Sequence, residues 1–125
     1  MDISASDGER ARTATLAYQA ATGAFMIYRL EAPHIGEAQD EEMDKLECLM
    51  GMNEKRVRDA LLNLSSLTGQ QGKVIFNDAS TAFSRFMEVH TEVIRLSRMN
   101  TNIKSLHLSL GRKRKIAAQC EEILT

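Results

Sequence analysis

The sequence holds one proline, no tryptophan, four phenylalanines and two tyrosines in 125 residues. Strands favour aromatic and β-branched side chains, so this poverty argues against a sheet-based fold. No long apolar run exists: the longest is Ala24-Phe25-Met26-Ile27-Tyr28, far short of the roughly 20 residues that a membrane span needs. No signal peptide is visible after Met1. Charge of one sign is also lacking. The net charge is -1, which excludes a general nucleic-acid binder with a strongly basic surface. Two cysteines are too few for a disulfide framework.

What is present is helical. Ala, Leu, Met and Glu are common, and 43% hydrophobic with 26% charged residues describes a globular chain. One domain, residues 1–125, is expected. Four segments carry helical periodicity. The first has a seam of Ala11, Ala14, Tyr18, Ala21, Phe25 and Tyr28, and ends around Pro33 and Gly36. The second follows the acidic run 37–44, which suits a helix N-terminus. Its seam is Met43, Leu46, Met50, Asn53, Val57, Ala60, Leu64 and Leu67, with Gly69 and Gly72 as its close.

The third segment opens at Asn77-Asp78, good capping residues, with Phe83, Phe86, Val89, Val93 and Leu96 as its seam. The fourth carries Ile103, Leu106, Leu110, Ala117, Cys120 and Leu124. Between them Thr101 or Asn102 suits a new cap, and a continuous bent helix fits the periodicity equally. Two antiparallel hairpins then form an all-α, up-down-up-down four-helix bundle. The pattern runs off both chain ends, which reads as a segment of a longer protein.

Chemistry-bearing constellations are sparse. Glu31 to His34 is the one E-x-x-H match, whereas a di-iron bundle needs the motif twice; no metal and no cofactor are expected, and the seven methionines read as core filler. Counted from a shared bundle end at about 1.5 Å per residue, Cys48 lies about 12 Å and Cys120 about 28 Å along their helices, too far apart for an internal disulfide. Cys120 fits a seam position and is expected to be buried. His107 has Gly111 at i+4, as the phospho-accepting histidine of a phosphotransfer domain does, but Leu110 stands where that motif has lysine. The run Arg112-Lys113-Arg114-Lys115 points in all directions on a helix, so at most two of these cations serve one anion, together with Asn100 and Asn102.

The stretch Leu96-Ser97-Arg98-Met99-Asn100-Thr101-Asn102, continuing through Ser105-Leu106 and Leu108-Ser109-Leu110-Gly111-Arg112-Lys113-Arg114, resembles the start of the last helix in the four-helix-bundle sensor domain of methyl-accepting chemotaxis proteins and related membrane receptors. The resemblance implies a periplasmic input domain of a membrane-anchored parent, without catalysis, working as a homodimer on a small anionic ligand. It places the membrane-distal end at residues 29–40 and 98–104, so the position and chemistry of Arg29, Arg98, Asn100, Asn102 and Arg112 mark them for the ligand. Phosphotransfer at His107 and a cytosolic protein-interaction bundle are the alternatives.

Overall fold

A computed structural model describes residues 3–67 and 69–124. Four helices account for nearly all of them: α1 (Ile3–Ile35), α2 (Asp40–Ser65), α3 (Gln70–Arg98) and α4 (Thr101–Leu124). No strand occurs among the described residues. The chain is all-α, as its composition implies.

Helices α1, α2 and α3 pack against one another, and α1 with α2 forms the closest pair. The core comprises Leu16, Ala20 and Ile27 of α1, Met50, Val57, Ala60, Leu61 and Leu64 of α2, and Phe83 of α3. The α2 seam is buried or half-buried along its whole length, from Met43 to Leu67. Gly23 explains how closely α1 approaches α2: a Cβ there would stand 2.6 Å from Val57 Cγ2 and 3.1 Å from the Asn53 carbonyl oxygen.

The structure shows the all-α class and the mutual packing of α1, α2 and α3, but not the expected four-helix up-down-up-down arrangement. Among the described residues no close backbone packing joins α4 to α1, α2 or α3, and residues 105–123 of α4 are exposed on every face. Cys120 is therefore exposed, not buried, and Cys48 is exposed as well. Of the fourth seam, Ile103 is half-buried, while Leu106 and Leu110 are exposed.

The α1 seam also needs correction. Thr13, Leu16, Ala20, Gly23, Ile27 and His34 face the core, while Ala11, Ala14, Tyr18, Ala21, Phe25 and Tyr28 face solvent. Each set keeps the heptad repeat, by steps of three and four or, from Ile27 to His34, of seven, so α1 has two usable stripes and α2 takes the one containing the glycine. In α3, Phe83 is buried and Phe86 half-buried, but Val89 and Leu96 are exposed. Its inner face passes instead through Ala79, Phe83, Phe86, His90, Ile94 and Ser97.

Helix α3 starts seven residues before Asn77, at Gln70, with no side-chain cap of its own at Gly69. The cap comes from across the bundle: the Gly69 amide donates to Glu9 Oε1 of α1 at 2.7 Å. That bond satisfies a free helix-start amide and extends α3 back through the glycines. Gly72 accordingly lies inside α3, close against Leu67. The end of α3 is a true break. Met99 and Asn100 turn the chain, and Asn100 Oδ1 accepts from the Ile103 amide at 3.4 Å, capping α4.

Candidate functional site

The short turns and antiparallel run bring the end of α1, the start of α2, the end of α3 and the first turn of α4 to one corner. Residues 29–40 and 98–104 thus share an end of the molecule, and a polar network ties them. Its centre is His34, fully buried on α1. Ser97 of α3 donates its hydroxyl to the His34 carbonyl oxygen at 3.0 Å and lies 2.7 Å from His34 Nδ1. With that hydroxyl proton committed to the carbonyl, Nδ1–H donates to Ser97 Oγ. The other ring nitrogen, Nε2, has no hydrogen-bond partner and lies 3.5 Å from Glu47 Oε2 of α2.

Glu47 belongs to an acidic stripe. Asp40, Asp44 and Glu47 are spaced four and three residues apart on one face of α2, and Arg98 of α3 reaches all three. Its guanidinium hydrogen-bonds Asp44 at 2.5 Å and Glu47, and donates to the Asp40 carbonyl oxygen at 3.4 Å. Those carboxylates hold the Arg98 cation more firmly protonated than usual, the Asp44 bond contributing most. Lys104, on α4, donates to Asp40 Oδ1 at 3.0 Å and to the Arg98 carbonyl oxygen at 3.2 Å. One turn deeper, His90 of α3 pairs with Glu31 of α1 at 2.8 Å and stacks on Phe86.

Lys104 is thus the ionic link between the first turn of α4 and α2. Its ammonium holds the Asp40 carboxyl below the usual 3.8, first by the hydrogen bond and then by charge, with Arg98 adding to the effect. Because the folded-state value is depressed, this contact contributes its full stabilisation above the unfolded-state value, and loses it as pH falls through the folded-state value. A carboxyl-carbon NMR titration is expected to find Asp40 titrating below the ordinary aspartate range, and Lys104→Gln to move it back upward. An Asp40 midpoint unchanged by that substitution would show that the link does not form in solution.

The residues marked by the sequence occupy unlike places. Arg98 is half-buried against carboxylates, so its charge is already engaged. Asn100 caps α4. Arg29 is exposed on α1, and Arg112 is exposed on α4, beyond the corner. Asn102 lies within α4, but its side chain is outside the described residues. Glu31 and His34, the E-x-x-H pair, take separate partners, His90 and Ser97. Among the described residues no three His, Cys, Asp or Glu side chains gather as a metal site requires.

Sequence reasoning missed His34, Ser97, Glu47 and His90. The acid spacing at 40, 44 and 47 was the available signal, since it foretells one charged stripe that needs a cation opposite.

Two grooves lie at mid-bundle, away from the network. One, of about 280 Å³, runs between α1 and α3, walled by Ala17, Ala21, Ala24, Ala82 and Phe86, with Val57 and Leu61 of α2 as its floor. The other, of about 570 Å³, lies between α1 and α2 and mixes charged and amide side chains with Tyr18, Met52 and Ala60. Among the described residues no helix is long and apolar enough to cross a membrane. Compared with models of protein families, with curated proteins and with solved structures, the chain matches none.

Proposed function

We propose that this chain is the input domain of a chemoreceptor-type transmembrane signalling protein, held on the periplasmic side, which takes up a small anionic ligand and passes the event on as a shift of α4. The observation that carries the reading is the attachment of α4. A 24-residue helix joins the body through one short turn and the Lys104 contact, so it can change place without unpacking the α1–α3 core. A two-position element of this kind is what a ligand with unequal affinity for the two positions can bias.

The four-helix arrangement follows if α4 seats in the α1/α3 groove. Alanines on both walls admit a helix closely, and Ile103, Leu106 and Leu110 supply an apolar face to enter it. The outer stripe of α1, from Ala11 through Tyr18, Phe25 and Tyr28 to Ile35, then remains exposed in heptad spacing. Large exposed apolar patches mark interaction surfaces, and this one suits the same stripe of a second copy, giving the homodimer.

Spin labels on the exposed native Cys48 and Cys120 test the position of α4. Seated in the groove, α4 places the two labels about 20 Å apart; projecting from the corner, about 40 Å apart. A ligand of the proposed kind is expected to redistribute these two distances. Thermal-shift screening of organic and inorganic anions should find one that stabilises the fold, as any ligand binding only the folded state must. A single distance that no anion alters, with no stabilising anion, would end the reading.

One feature favours a second reading. His107 is exposed on α4, whereas His34 and His90 are buried. Acid-labile label from acetyl phosphate, lost in His107→Gln alone, would make the chain a phosphotransfer domain.

A further inference from the structure

The α1/α2 groove, at the middle of the bundle and away from the charged corner, has a volume of about 570 Å³. That volume lies within the range of small-molecule sites. Its α2 wall presents Lys55, Arg56, Asp59 and Asn63, and its α1 wall presents Tyr18 and Gln19. Helical spacing accounts for the convergence: 55, 56, 59 and 63 fall on one face of α2, and 18 and 19 on the facing strip of α1. Two cations, one carboxylate and two amides therefore meet over one depression.

These charges are not spent on each other. Glu54 and Arg58, four residues apart, form an ion pair at 2.8 Å. Lys55 and Asp59 have the same spacing and form none, nor does Arg56 pair with any described residue. The order along the helix explains the difference. An acid placed four residues before a base works with the helix dipole, while a base placed before an acid works against it. Arg58 is also drawn aside over the Phe83 ring, 5.4 Å from its centre. Lys55, Arg56 and Asp59 are left with unused hydrogen-bonding capacity directed at the groove.

From this we infer that the α1/α2 groove binds a small organic acid whose carbon skeleton also carries a hydrogen-bond donor, either hydroxyl or ammonium. Lys55 and Arg56 take the carboxylate through charge-assisted bonds. Asp59, which as a carboxylate only accepts, takes the donor. The amides of Gln19 and Asn63 serve either end, and the Tyr18 ring covers the carbon skeleton. A plain fatty acid leaves Asp59 facing apolar atoms, and an amine alone leaves both cations without an anion. The site rests on the reading of this chain as a ligand-binding input domain, and it names the ligand class and where that ligand sits.

Matched ligand series on the isotope-labelled protein test this by NMR: propionate, lactate and alanine in one, succinate, malate and aspartate in the other. In at least one series the hydroxyl- or amino-bearing acid is expected to bind at least about tenfold more tightly than its bare parent, the scale of one charge-assisted bond. The hydroxy and amino members reveal which donor the site takes. Amide shifts should concentrate at residues 18–22 and 52–63. Arg56→Ala and Asp59→Asn should each weaken binding by about tenfold, and Asp59→Asn should also reduce the preference over the bare acid.

Equal binding of parent and substituted acids, binding unaffected by both substitutions, or no saturable shift in either series overturns the site. Shifts confined to residues 98–104 also overturn it, yet leave the input-domain reading standing. That reading falls separately, on the label distances and the anion screen.

Discussion

Gly23→Val is expected to lower the unfolding free energy by about 3 kcal/mol, the upper range for forced overpacking. Even a Cβ at this position lies 2.6 Å from Val57 Cγ2 and 3.1 Å from the Asn53 carbonyl oxygen. Neither neighbour yields easily. Val57 is buried and β-branched, hence stiff at χ1, and the carbonyl belongs to the α2 backbone. The remaining response is to push α1 away from α2, the most closely packed helix pair of the fold.

Gly23→Ala is expected to lose less, about 1 to 2 kcal/mol, because alanine regains about 1 kcal/mol of helix propensity while meeting the same clash. The diagnostic measurement is a double-mutant cycle by chemical denaturation. Val57→Ala removes the obstructing methyls, so the pair should be less destabilised than the sum of its members. Additive losses would mean that Gly23 and Val57 do not touch, and that α1 does not approach α2 as described.

Gly23 also shows how far the fold was legible beforehand. The α2 seam could be read because its apolar residues keep one heptad register from Met43 to Leu67, while Leu49, Met52 and Leu62 fall outside it singly and stay exposed. Helix α1 offers two stripes of equal period, and the outer one has the larger side chains. Periodicity favoured Tyr18, Phe25 and Tyr28, whereas packing selected the stripe whose glycine lets α2 come close. Side-chain size reports how much a residue gains by burial, not whether a neighbour can reach it.

The start of α3 was misplaced for a related reason. Its cap is Glu9, about 60 residues away in sequence, and no local rule sees a cap supplied by another helix. In the candidate site, Arg98 could be singled out as a cation near a turn. Its engagement by Asp40, Asp44 and Glu47 required knowing that the start of α2 returns to the end of α3. The α1/α2 groove was invisible for the same cause, since Tyr18 and Gln19 meet Lys55 and Arg56 only once the helix faces are assigned.

His34→Ala should produce the other large loss, about 3 kcal/mol, with a consequence for α4 that a cavity alone would not have. Truncating a fully buried side chain leaves a void and removes the acceptor-donor match with Ser97, stranding a buried hydroxyl face that must be re-paired. The Ser97 bond to the His34 backbone survives any substitution of the side chain, so α1 and α3 stay joined, but the imidazole no longer wedges between Ser97 and Glu47. Glu47 is the deepest of the three carboxylates that hold Arg98, and Arg98 is followed within six residues by Lys104, the α4 tether. Loss of the wedge therefore loosens the whole chain of contacts from α1 to α4.

Two measurements separate this from simple core damage. Ile27→Ala, equally buried on the same face of α1, should destabilise by a similar amount, about 2 to 5 kcal/mol, and leave the Cys48–Cys120 distance distribution as in the parent. His34→Ala should broaden or shift that distribution under conditions where both proteins are fully folded. Arg98→Ala, which spares the core, should reproduce the shift with a smaller stability loss. Should Ile27→Ala and His34→Ala move the labels alike, or Arg98→Ala leave them in place, the corner is a structural joint only and α4 takes its position from elsewhere.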